Sequence, residues 1–195
     1  MIRTVLILTF ALILATGAAG DWLKWWSEQS YTRVASANDG DGWGVRFDPP
    51  FECGWVETVE FYVYKDPDDD WDSFDVWICK YRPGAGIPGA FLYFVGTITY
   101  DLDDDEGWVS VPDIHYFWGT TDSFVIALIQ TDDSPNCDSL GVDRDQTVPN
   151  PNFNYFDGYW TPFILKDGDF LVQVEYLDYE AITPNSMGYI KSLYR

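Results

Sequence analysis

Apolar and polar residues alternate with a period of two through much of the chain, most clearly between residues 43 and 81. Val59, Phe61 and Val63 share one parity; Thr58, Glu60, Tyr62 and Tyr64 share the other. Phe74, Val76 and Ile78 repeat the pattern against Asp75, Trp77 and Cys79. Side chains alternate across a strand, so each segment predicts a strand with one face toward a core. Successive strands are expected at 43–47, 55–64 and 73–81.

The rest of the chain adds strands to the same core. Residues 90–100 are apolar on both parities and are expected to be largely buried, or interrupted by a bulge at Gly96. Residues 108–111 and 140–143 read as short strands, and 30–36 as a candidate edge strand. Phe124 to Ile129 are apolar on both faces, which predicts a central strand over 123–130. Phe170, Val172, Val174 and Tyr176 are expected to face inward in a closing strand over 169–177. The breaks hold turn formers: Asn38-Asp39-Gly40-Asp41-Gly42, Lys65 to Asp70, and the Gly/Pro stretch from Pro83 to Gly89. Residues 144–162, rich in Asn, Pro and aromatics, read as a long irregular connection. No helical period, internal repeat or linker emerges. About eight to ten short strands at this spacing predict an all-β antiparallel β-sandwich or barrel. A jelly roll is one such closure, and a jelly-roll sandwich over 21–177 is the expected fold.

The order of these motifs resembles the jelly-roll β-sandwich modules of uncharacterised secreted bacterial proteins. The likeness runs from the Asn38-Asp39-Gly40 turn through Val45-Arg46-Phe47 and Val59-Glu60-Phe61-Tyr62-Val63. It continues through Ile87-Pro88-Gly89, Gly107-Trp108 and Leu140-Gly141-Val142-Asp143, and closes at Gly168-Asp169-Phe170-Leu171-Val172. The resemblance implies a fold and an extracellular location, and no catalytic residues. The tail, 178–195, ends in Met187-Gly188-Tyr189-Ile190-Lys191, similar to short Gly-aromatic-Ile-Lys tails that close some secreted bacterial proteins. It reads as a loose terminus or as a sorting or docking tag.

The first residues change the picture of location. Met1-Ile2-Arg3 gives a positive start, residues 4–15 an apolar run, and Thr16-Gly17-Ala18-Ala19-Gly20 a small-residue cleavage zone. That is the layout of a secretory signal peptide over 1–20. The run is short for a bilayer, which takes ~20 apolar residues, so no membrane span is expected after cleavage. The chain carries 11 Lys+Arg against 32 Asp+Glu, a net charge of −21. Phosphate backbones should be repelled, which excludes nucleic acid as a partner. An aromatic content of 18 %, with 10 Trp and 13 Tyr, argues against disorder despite that charge. The 3 cysteines leave one over after any bridge. Cys53 and Cys137 both stand in loop-like surroundings and are the expected disulfide, leaving Cys79 a thiol inside a strand.

Three constellations could carry chemistry. The first is acid in loops: Asp66, Asp68 and Asp70, and Asp101, Asp103 and Asp105, alternate in a way that can supply hard oxygens to calcium. Trp71 stands where an EF-hand needs Gly, so this is no EF-hand, and a solvated charge run is the plain alternative. The second is aromatic. If strands 55–64 and 73–81 pair in one sheet, Tyr62, Tyr64, Trp77 and Tyr81 share its outer side. That would form a platform for sugar rings, unless the N-terminal segment or residues 144–162 cover it. The third, catalysis, finds little support. The single histidine, His115, has no Gly-x-Ser-x-Gly elbow to join, and paired carboxylates are too common here to be diagnostic. The expected function is a secreted, non-catalytic module that binds an extracellular protein or a glycan. A carbohydrate-binding module and a small glycan-active enzyme stand as alternatives. No cofactor is required, calcium being the one candidate ion.

Overall fold

The computed structural model describes residues 20–24, 31–35, 38–65, 73–102, 105–132, 138–143, 152–163 and 168–179. Residues 1–19, where a signal peptide is expected, and the tail from residue 180 lie outside the described residues. Among the described residues, thirteen strands form two antiparallel sheets and there is no helix. The strands are β1 (Asp21–Lys24), β2 (Tyr31–Val34), β3 (Gly42–Phe47), β4 (Gly54–Tyr64), β5 (Ser73–Arg82), β6 (Ile87–Thr99) and β7 (Glu106–Val111). They continue with β8 (Tyr116–Trp118), β9 (Phe124–Gln130), β10 (Ser139–Asp143), β11 (Asn152–Phe156), β12 (Tyr159–Pro162) and β13 (Val172–Asp178).

The front sheet is built on β4. β13 and β10 share one of its edges, and β8 and β7 the other. β1 then pairs with β13, and β2 with β10. The back sheet runs β12-β11-β3-β9-β5-β6. The inward parities named from sequence are the ones that meet between the sheets. Val59, Phe61 and Val63 come from the front; Phe74, Val76 and Ile78 come from the back; all are buried. Phe61 meets Phe74 edge to face at 5.8 Å, and Phe124 stacks on Tyr176 at 6.1 Å. Burying a Phe, Leu or Ile contributes about 1.5–3 kcal/mol each, so this aromatic layer is the main adhesive of the sandwich.

β9 is central and buried at every position, as its two apolar faces require. β6 takes the bulged alternative. Val76 pairs with Gly96 and Trp77 with Phe94, which leaves Val95 unopposed. It is an edge strand with Leu92, Tyr93 and Phe94 exposed, so apolar residues on both parities mark an edge here rather than a buried strand. Strands β1, β8, β11 and β12 were not expected. Residues 144–162 are not one irregular connection, because β11 and β12 form a hairpin there. β8 is a three-residue strand just after His115.

Of the expected Cys53–Cys137 bridge, Cys137 lies outside the described residues; Cys53, just before β4, is a free thiol. Cys79 is a fully buried free thiol, its pKa pushed up to about 12 by burial.

Candidate functional site

The β11–β12 hairpin forms the site. Its turn is Asp157-Gly158, with φ of +49° and +82°. Both central residues are left-handed, as in the hairpin turn that Asp-Gly favours because its twist matches the strands. Phe156 faces Tyr159 across the ladder, and Asn154 faces both Thr161 and Trp43. Alternation therefore puts Asn154, Phe156, Tyr159 and Thr161 on the side of the buried Trp43. Phe153, Tyr155 and Trp160 take the opposite side.

Between that first side and the front-sheet edge at Val34 and Ala35 lies an open cleft of about 490 Å³. Trp43 forms its floor, with Asn154, Phe156, Tyr159, Thr161 and Phe163 around it. Phe156 is 53 % exposed and Tyr159 74 % exposed. Those are high values for rings on an ordered hairpin.

Asp41 fixes the hairpin in place. Its carboxylate is buried and accepts the Asp157 backbone N–H at 3.2 Å and Asn38 Nδ2 at 2.9 Å. Its backbone carbonyl accepts the Gln130 N–H at 2.8 Å. One residue thus ties the 38–41 turn, the end of β9 and the hairpin tip together.

The hairpin's other side closes a second, smaller core. Trp160 and Tyr155 lie 4.8 Å apart and reach Phe91, which lies 5.2 Å from Trp77. Cys79, Val125, Ala127, Ile129 and Phe153 are buried beneath. Gly44 permits the close approach, since a Cβ there would stand 2.9 Å from the Trp160 ring.

The four-ring platform expected from sequence is not formed. β4 belongs to the front sheet and β5 to the back sheet, so Tyr62 and Tyr64 lie on the opposite outer face from Trp77 and Tyr81. Tyr62 packs against Tyr64 at 5.4 Å and Trp108 at 5.5 Å. Trp77 and Tyr81 are half-buried in the second core, where Arg46 stacks over Tyr81 at 5.1 Å. Of the candidate calcium ligands, Asp66, Asp68, Asp70 and Asp103 lie outside the described residues. Asp101 pairs with Lys65 at 3.8 Å, and the Asp105 carbonyl accepts the Lys65 N–H at 2.7 Å. No group of three or more His, Cys, Asp or Glu side chains is placed to hold a metal among the described residues.

Two further polar groups lie away from the cleft. His115, at φ +50°, contacts Glu57 through Nδ1, and burial raises the Glu57 pKa against the opposing pull of the histidine. Asp169 is buried. Asn152 Nδ2 donates to its Oδ1 at 3.0 Å, and its Oδ2 has no partner. Burial pushes its pKa up to about 6, with Asp143 adding to the rise and Asn152 opposing it. The hairpin itself carried a readable signal: Asp157-Gly158 between Asn-Phe-Asn-Tyr-Phe and Tyr-Trp-Thr-Pro.

No family model matches the chain, and no curated protein matches it. Among solved structures it is similar to the cysteine protease and lectin-like domains of Cwp84, a surface layer associated protein of Clostridium difficile. That match has a TM-score of 0.56 at 13 % identity, over 71 % of this chain. The matched part is 32 % of the other chain, so this protein spans about a third of its neighbour's length. A likeness at that identity shows the fold alone. No helix among the described residues is long and apolar enough to cross a membrane.

Proposed function

We propose that this protein is a secreted, non-catalytic module of jelly-roll type that binds glycan outside the cell or at its surface, through the cleft under the β11–β12 hairpin. The carrying observation is the cleft's lining: exposed rings of Phe156 and Tyr159, a Trp43 floor, and an amide and a hydroxyl from Asn154 and Thr161. A pyranose has an apolar C–H face and a rim of hydroxyls. Aromatic rings cover the first, and a few fixed polar groups pair with the second. The lining supplies rings and neutral hydrogen-bonding groups, with one exposed carboxylate, Asp157, at the tip. That inventory suits recognition better than paired acid–base chemistry. The lectin-like neighbour agrees with this reading at the level of fold.

Retention of residues 21–195 on glycan-loaded gels tests it. Tyr159→Ala removes a mostly exposed ring and should lower affinity roughly tenfold without changing the thermal midpoint. Phe94→Ala, an exposed ring on β6, should leave retention unchanged. Equal retention of both variants with the parent would move the site off this cleft. Failure of the parent to bind any glycan would reject the reading.

A further inference from the structure

The cleft opens at the acidic end of the sandwich. The β2, β4, β6, β9 and β11 strands all finish there, and β3, β5, β7 and β10 begin there. Asp157 stands at the cleft mouth, Asp39 lies within the Asn38–Asp41 turn, and Asp132 follows the end of β9. Asp105 and Glu106 lie on the same end across the front sheet, three strand spacings or about 14 Å from β2. The nearby cations among the described residues are Lys65, which pairs with Asp101, and Arg33, which alternation places on the face of β2 opposite Val34. A cleft framed by one sign of charge concentrates ligands of the other sign.

Building on the glycan reading above, we propose that the cleft takes a glycan bearing free amines, an amino-sugar polymer that is not fully acetylated. The rings of Phe156 and Tyr159 hold the sugar face, and the Asp157 carboxylate meets an ammonium at the lip. Acidic glycans are repelled. The more distant carboxylates act only at low ionic strength, because the screening length falls from about 30 Å at 0.01 M salt to about 10 Å at 0.1 M.

Titration of residues 21–195 with a glucosamine oligomer, its N-acetylated counterpart and a uronic acid oligomer of equal length tests the proposal at low and high salt. The amine oligomer should bind about five-fold tighter than the acetylated one at low salt, and the uronate should not bind. The preference should shrink at high salt. Asp157→Asn should narrow it without unfolding the hairpin, because Asn tolerates the left-handed turn and keeps the N–H that Asp41 accepts. Tyr159→Ala should weaken both sugars. Equal or tighter binding of the acetylated oligomer overturns the charge assignment and leaves the glycan reading standing. An amine preference that survives Asp157→Asn unchanged, or amine binding that survives Tyr159→Ala, overturns the assignment to this cleft. No binding of any oligomer overturns both.

Discussion

Asp169 and Asp41 show how differently a buried carboxylate can be treated. Asp41 has hydrogen-bond donors on both oxygens, whereas Asp169 has one on Oδ1 and none on Oδ2. Burying an ionised oxygen without a partner is costly, and this is why the Asp169 pKa rises to about 6 from 3.8. A folded-state pKa above the unfolded value favours folding while the group is protonated. The stability from Asp169 is therefore full below pH ~4 and is lost as pH rises through about 6. Asp169→Asn keeps the acceptor for Asn152 and removes the ionisation. Its urea midpoint should exceed the parent's at pH 7 and match it near pH 4. Neither role was legible in the sequence. Both aspartates sit in turn-like stretches with many others, and only long-range partners, Asp157 and Asn152, set them apart.

At the level of elements, legibility followed burial. β4 and β13 each present one face to the core, so their parities could be read directly. β9 is covered on both sides, and its unbroken apolar run said so. The β11–β12 hairpin escaped because its aromatics occupy both faces: one side lines the cleft and the other closes the second core. No alternation survives when both faces are aromatic, which left the Asp-Gly turn as the only local cue. That turn is testable in isolation. A Cβ on Gly158 would meet nothing within 4 Å, so Gly158→Ala meets only the backbone cost of φ +82°. The expected loss is about 1–2 kcal/mol in urea unfolding. Gly84→Ala, equally open and without a positive φ, should cost far less.

For the whole molecule, connectivity was the hardest thing to read. Consecutive strands are neighbours only about two-thirds of the time, and β4 and β5 are an exception, lying in different sheets. That crossing dispersed the four aromatics that a hairpin would have gathered. The overall charge acts at the same scale. A net −21 repels itself in the compact state, and screening relieves it. Raising sodium chloride from 10 to 300 mM should raise the thermal midpoint by a few degrees, as should potassium chloride; a flat response would mean that the acid is locally neutralised.

The hairpin is a ribbon with two readers. Tyr159 looks into the cleft, and its chain neighbour Trp160 looks the other way, its indole N–H unmatched inside an aromatic nest. The proposed glycan, settling on one side, would press on a ribbon whose reverse carries the indole. Its binding would then be reported by a chromophore that it never touches.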